Sequence, residues 1–384
     1  MNPYQSLDQK HFWSTAVAQK NMFDISDLWN PKFRIGQKMK VATYGSCFAQ
    51  HIGRALAKRD FTWMISERAP SALSDENAKK YNYGIFTART GNIYTVSLLN
   101  QWLDWALHEK QVPKEIWEKD GRFFDPFRPN IEPDGFTSEE EMHVSRTEAI
   151  KAFRKSVVDC DVFVFTLGLT ESWTNSAHGY EYPLCPGTVA GDFNKSLHKF
   201  SNQGFNFIRS GLAAAISKMK SANPNIKIIL TVSPVPLTAT MSGNHVLPAT
   251  VESKSILRAV AGSIARGSAT VDYFPSFEII SSTPYRGAFF EPNQRNVNHT
   301  GVDHVMNCFF SCLENKFPAK KIVPKSSSLV KPDSPKNKQI SKMISGKNAT
   351  HDKKGKSPGA PSHDDYDLVC EEEILNAFSH KIPE

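Results

Sequence analysis

Between residues 36 and 317, short apolar runs alternate with longer runs of helical period, and that alternation predicts the fold class. Residues 40–44 read as a strand, 47–59 as the helix after it, and 61–66 as a possible second strand. Residues 90–109 carry Tyr94, Leu98, Trp102, Trp105 and Leu107 at helical spacing, and 148–158 read as a further helix. The runs 161–167 and 226–232 are almost continuously apolar, as strands covered on both faces are. Helical patterns over 203–222, 254–267 and 302–315, with a short strand over 270–273, complete the set. Strand and helix in turn at this spacing predict a mostly parallel central sheet between two helical layers, a three-layer α/β/α sandwich.

The flanking segments read differently. Residues 1–35 form an N-terminal extension, 36–318 the α/β domain, and 319–384 a tail. Within the domain, 114–141 sets Trp117, Phe123, Phe124, Phe127 and Phe136 among prolines, the pattern of a long loop or cap over a sheet edge. The stretch 319–367 is rich in Lys, Ser, Pro, Asn and Gly and cannot bury enough surface to offset its ordering entropy, so disorder is expected. Residues 367–378 have the makings of a short helix with an uneven apolar side, marginal by itself, and disorder is the favoured expectation there too.

Charge changes this picture little. The net charge of +7 comes largely from the tail, where residues 320–356 hold eleven lysines against Asp333 and Asp352, followed by an acidic end. No folded nucleic-acid site is expected, although the lysine block can attract polyanions non-specifically. Six scattered cysteines without a CxxC pair argue against a disulfide framework or a zinc site and for a reducing compartment. No apolar run approaches the roughly 20 residues that span a bilayer, and the first 30 residues lack an apolar signal segment, so a cytoplasmic protein without metal or cofactor is expected.

The chemistry concentrates where strands stop. Val41-Ala42-Thr43-Tyr44 ends at Gly45-Ser46, which sets a hydroxyl at the carboxyl end of a strand beside a helix N-terminus. Acyl transfer needs such a nucleophile next to donors for an oxyanion; a helix-capping turn needs the same residues. Cys47 is a second candidate nucleophile, or core. Gly168, Thr170 and Glu171 follow the strand 161–167 at the same edge, as oxyanion or substrate contacts or as an orienting carboxylate. Gly84 and Asn92 can reach the site from a glycine-containing loop; Arg89 in that loop reads as a structural ion pair and Lys254 as part of a helix start. A serine needs a base, and three histidines compete: His299 before the last helix, His245 after the strand 226–232, and His304 within the helix. His51, one turn beyond Ser46, reads as structural.

Tyr44-Gly45-Ser46-Cys47-Phe48-Ala49 resembles the signature of the GSCFA family, and the likeness continues through Leu167-Gly168-Leu169-Thr170-Glu171-Ser172-Trp173, Thr231-Val232-Ser233-Pro234 and Phe289-Phe290-Glu291-Pro292-Asn293. That family is regarded as related to the SGNH (GDSL-like) hydrolases, whose fold is flavodoxin-like and whose members are mainly esterases, carbohydrate deacetylases and O-acyltransferases. The resemblance implies Ser46 as catalytic serine and Gly168 as an oxyanion glycine, with the superfamily asparagine absent and Thr170 as its substitute. Asn296-Val297-Asn298-His299 keeps the histidine of the Asp-x-x-His block but has Asn296 in place of the aspartate; Asp303 is a further candidate acid. The expectation is a serine-dependent acyl-ester hydrolase or O-acyltransferase, on an O-acetylated carbohydrate or other small ester. Two alternatives stay open: a non-catalytic carbohydrate- or small-ligand-binding protein with a degenerate site, and a polyanion binder acting through the lysine tail. Oligomeric state is not legible.

Overall fold

The structure, a computed structural model, describes residues 2–318 and 368–379. Its strands are β1 (Val41–Gly45), β2 (Trp117–Lys119), β3 (Arg122–Phe124), β4 (Val162–Leu167), β5 (Glu171–Asn175), β6 (Glu181–Tyr182), β7 (His198–Asn202), β8 (Lys227–Val232) and β9 (Val271–Tyr273). Its α-helices are α1 (Phe48–Lys58), α2 (Asp75–Lys80), α3 (Val96–Ala106), α4 (Glu139–Asp159), α5 (Phe205–Ala222), α6 (Val246–Arg266), α7 (Ser276–Ser281) and α8 (His299–Lys316). The central sheet has the order β1-β4-β8-β9 and every pairing in it is parallel.

Strand periodicity explains the layers. Phe163, Phe165 and Leu167 of β4, with Ile228 and Leu230 of β8, face a core built with α3, α4, α5 and α6. The alternate residues Val162, Val164 and Ile229 face a second core with α1, α7 and α8. Successive side chains leave a strand on opposite faces, so a strand covered on both must be apolar throughout. The three-layer α/β expectation therefore holds. Trp29 of the N-terminal extension stacks on Phe309 of α8 at 5.0 Å, so part of that segment belongs to the second core.

Several elements differ from the sequence expectation. Residues 61–66 lie beside β1, with Met64 N–H donating to the Val41 carbonyl at 2.8 Å, but make one isolated bridge and no strand. The segment 114–141 contains a two-stranded hairpin, β2–β3, besides loop. Helix α3 starts at Val96, six residues later than the apolar period suggests, because the Thr95 hydroxyl caps it by accepting the Leu98 N–H at 3.1 Å. That late start leaves residues 90–95 as a loop lying across the ends of β1 and β4: Ile93 N–H donates to Gly45 O at 2.8 Å and Gly168 N–H to Tyr94 O at 3.0 Å. The stretch expected to be disordered, 319–367, lies outside the described residues. Residues 368–379, by contrast, pack in one unit with the α/β domain, and Glu371–Phe378 form a 3₁₀ turn.

Gly45 is the tightest point of the sheet edge. Its φ is +123°, and a Cβ there would lie 2.1 Å from the Thr166 carbonyl oxygen of β4. Gly45→Ala is expected to destabilise the domain by roughly 3 kcal/mol or more, read as a lower denaturation midpoint; an unchanged midpoint would contradict this packing.

Candidate active site

Parallel strands end together, so β1, β4 and β8 deliver Gly45-Ser46, Gly168 and Ser233 to one edge, where such sheets hold ligands. Ser46 is buried, and its Oγ has no hydrogen-bond partner among the described residues. The residue lines a small cavity of about 10 Å³ with Thr43, Gln50, Phe86, Gly91 and Asn92, the space of a single water molecule. An unpaired buried hydroxyl costs about 1–3 kcal/mol, so a role other than packing is called for.

Two of these lining residues, Gln50 and Asn92, also hold the segment 369–373. The Glu371 carboxylate is met by three neutral donors: Asn92 N–H at 3.1 Å, the Asn92 side-chain amide, and the Tyr94 hydroxyl at 2.7 Å. Gly91, at φ +67°, makes room, since a Cβ on it would stand 3.0 Å from Glu371 Oε1. Gln50 on α1 clamps the Val369 peptide unit from both sides, donating to its carbonyl at 2.7 Å and accepting its N–H at 3.1 Å. Arg295 lies 3.5 Å from a Glu372 oxygen and 3.3 Å from a Glu373 oxygen. Burial, with Cys370 and Glu371 beside it, holds the Tyr94 phenol well above its ordinary range, so it stays a donor.

Cys47 is the N-cap residue of α1 and is buried. A hydrogen bond with the Cys370 thiol, and then burial, keeps its own thiol protonated well above the ordinary range. Lys254 is buried too and donates to the Gly168 carbonyl at 2.5 Å. Burial lowers its pKa to about 8 against the opposing pull of Glu372.

The candidate oxyanion groups read from the sequence are mostly engaged elsewhere. The Ser46 N–H donates to Thr166 O at 3.0 Å and the Gly168 N–H to Tyr94 O, so neither points at a ligand. Thr170 is fully buried, with its hydroxyl on Asn202 Oδ1 at 2.6 Å and its N–H on Ser253. Glu171 accepts from the Thr240 hydroxyl and the Met241 N–H, fastening the loop before α6. Gly84 is exposed on its turn with nothing near its Cα, whereas Asn92 does reach the Ser46 cavity.

No histidine among the described residues hydrogen-bonds Ser46 Oγ. His299 is exposed as the first residue of α8, with Nε2 3.4 Å from the Thr300 hydroxyl. His245 is exposed and caps α6 through Nδ1 to the Leu247 N–H at 3.2 Å. His304 stacks on Phe289 at 5.0 Å in the α8 core, where burial lowers its pKa. Asn296 has its amide oxygen on Arg295 at 3.3 Å, and Asp303 is exposed. Burial drives buried His51 down to about 3, which keeps its imidazole neutral; its Nε2 has no partner. Arg89 is the structural ion pair expected, bonded to Glu132 and 3.6 Å from Glu67.

Sequence reasoning missed Gln50, Tyr94, Arg295 and Glu371 as parts of one site. Only Gly91-Asn92 carried a local sign, a glycine before a polar residue within an apolar stretch; nothing in the sequence ties residue 92 to residue 371.

A family model described as GSCFA family matches residues 40–309. The chain belongs to the GSCFA family. The match includes Ser46, Gln50, Asn92, Tyr94 and Arg295 but not the segment 369–373 that they adjoin. Among solved structures, a Clostridium thermocellum family 3 carbohydrate esterase is similar at 11% sequence identity and a TM-score of 0.31, covering 71% of this chain and 94% of that chain. A search of curated proteins returned no match. No helix among the described residues is long and apolar enough to cross a membrane.

Proposed function

We propose that this GSCFA-family chain is a serine-dependent acyl-ester hydrolase or O-acyltransferase acting on small or carbohydrate esters, with Ser46 as nucleophile. One observation carries the reading: a buried Ser46 Oγ, unpartnered among the described residues, shares its cavity with Asn92, whose N–H meets one carboxylate oxygen of Glu371 while its amide and the Tyr94 hydroxyl meet the other. Three neutral donors around a carboxylate oxygen pair are what a tetrahedral oxyanion requires. Asn92 and Tyr94 therefore replace Gly168 and Thr170 as the proposed donors, and Asn92 takes the part of the asparagine missing after Gly168. In the reaction a base takes the Ser46 proton as Oγ attacks the ester carbonyl, and the oxyanion rests on Asn92 and Tyr94. Collapse of the oxyanion breaks the ester C–O bond and expels the alcohol, which takes the proton. Water or a sugar hydroxyl then attacks the acyl-serine, leaves with the acyl group and restores Ser46.

Two groups compete for the base. His299 requires rearrangement of the loop before α8, while Lys254 is already buried at the Gly168 carbonyl. The pH profile separates them. A Lys254 base gives kcat/KM a rise through about pH 8, because the amine acts only when deprotonated. A Lys254→Met chain that retains the same rise as the unaltered one excludes the lysine.

The second reading is a binding protein with a degenerate site, favoured by the finding that no histidine among the described residues hydrogen-bonds Ser46 Oγ. Short-chain acyl esters offered to the purified full chain and to Glu371→Ala decide between the two. Hydrolysis that depends on Ser46 supports the enzyme. Complete inactivity of both folded chains across acetyl, propionyl and butyryl esters leaves binding.

A further inference from the structure

Residues 369–373 are held by the α/β domain as a ligand is held. Val369 contributes its peptide unit to Gln50, Glu371 its carboxylate to Asn92 and Tyr94, and Glu372 and Glu373 their charges to Arg295. The receiving groups are built in: Gln50, Asn92 and Tyr94 are buried and belong to α1 and to the loop across β1 and β4. Without Glu371, the Asn92 N–H and the Tyr94 hydroxyl would lose the partners they are aimed at.

Val369 packs half-buried against the cluster of Ile85 and Phe86, a small apolar anchor. Within 369–373 only Glu371 is fully buried, and the apolar Phe378 is exposed. Polar recognition therefore fixes the segment, which favours specificity for a carboxylate on an extended backbone over simple covering of an apolar face. Gln50 and Asn92, which hold the segment, also line the Ser46 cavity, whose volume of about 10 Å³ is too small for any acyl group.

We infer that the cleft beside Ser46 is a carboxylate-recognition site whose resident occupant is this chain's own segment 369–373, so that an ester reaches Ser46 only when that segment leaves. This rests on the proposed function for its consequence in turnover, but not for its binding claim. The ligands that compete for the cleft are carboxylates borne on an extended chain, an acidic peptide above all. An intramolecular occupant competes at high effective concentration, so a free peptide binds the intact chain poorly.

The test uses the full chain, its Glu371→Ala variant, and a fluorescein-labelled peptide with the sequence of residues 368–378. The unaltered chain is expected to bind the peptide at least about tenfold more weakly than Glu371→Ala does. A peptide whose own position 371 is alanine is expected to bind neither, and adding Asn92→Ala to Glu371→Ala is expected to weaken binding about tenfold or more. Ester hydrolysis is expected to rise about tenfold in Glu371→Ala and to fall again as peptide is added. Arg295→Ala, which releases the segment from its Glu372–Glu373 side, gives a second chain with the same expected direction if Glu371→Ala does not fold.

Hydrogen exchange supplies a readout without substitution: the Val369 and Glu371 amides, donating to Gln50 and to the Tyr94 hydroxyl, are expected to be protected. Exchange of both at free-peptide rates in the unaltered chain overturns the inference. So does Ser46-dependent hydrolysis that is equally fast in all chains and indifferent to the peptide, an outcome that leaves the proposed function standing. Peptide binding to the opened cleft with no hydrolysis by any chain upholds the inference and removes the proposed function.

Discussion

Ser46→Ala, in the Glu371→Ala chain that leaves the cleft open, is expected to lower ester hydrolysis by a factor of about a thousand or more. A hydroxyl that forms the acyl intermediate has no substitute, so the loss falls on kcat, not on KM. The same change should not weaken the fold. Ser46 Oγ makes no hydrogen bond and is buried, so removing it deletes an unsatisfied group, and the midpoint of thermal unfolding should stay level or rise. That split between activity and stability is the signature to look for. A structural serine gives the reverse pattern, lost stability with retained turnover. Asn92→Ala is a companion with a smaller expected loss, about 100-fold in kcat, as befits one oxyanion donor among several. Retention of activity in Ser46→Ala together with its loss in Cys47→Ala would move the nucleophile one residue along.

The largest effect on stability is expected at Asp125. Its carboxylate is fully buried between two buried guanidinium groups, 2.7 Å from Arg128 and 2.9 Å from Arg146, and it also accepts the Phe127 N–H at 3.0 Å. Burial alone would raise the Asp125 carboxyl, but Arg146 and Arg128 outweigh it and leave the group below its usual range. Asp125→Ala strands two positive charges in the interior, which costs about 3–5 kcal/mol. Because the folded-state value is depressed, the ion pair contributes above the unfolded value of about 3.9 and is lost as pH falls through the lower folded value. Acid titration of the unaltered chain should therefore show this contribution fading only below about pH 4, and the Asp125→Ala chain should lack it. Replacing all three residues with apolar ones of similar size is expected to recover much of the stability.

Asp125 also bears on the site. Arg128 donates to the Arg89 carbonyl at 3.2 Å, and Arg89 in turn holds Tyr81 O and Glu132. The buried ions thus brace the loop that ends in Gly91 and Asn92. A milder substitution at Arg128 should loosen peptide binding at the cleft before it unfolds the domain.

Much of the scaffold was legible in the sequence because its signals are local. Continuous apolar runs in β4 and β8 mark strands buried on both faces, and Gly45-Ser46 marks the point where the chain must turn under a neighbouring strand. A helix start is less legible, since the apolar residues before α3 serve as loop packing as readily as a first turn; Tyr94 fell on the helical period yet belongs to the loop.

The site was legible only in its first residue. Ser46 is set by β1 and the turn after it, which a dozen neighbouring residues determine. Its oxyanion donors are decided by which N–H groups the sheet has already used, and the Gly168 N–H is spent on Tyr94 O. The base candidates follow the same rule, because a histidine's reach depends on where α6 and α8 begin. The segment at 369–373 shows the limit most clearly. Its own pattern offered a short helix marginal by itself, with disorder the favoured expectation, and its order comes from Gln50, Asn92 and Arg295, residues brought to one edge by the parallel sheet. What neighbours along the chain could determine was present in the sequence: the strands, the turn, the hydroxyl at its end. What depends on hydrogen-bond partners hundreds of residues away was decided by the tertiary structure alone, because a donor's availability is a property of the whole packed edge.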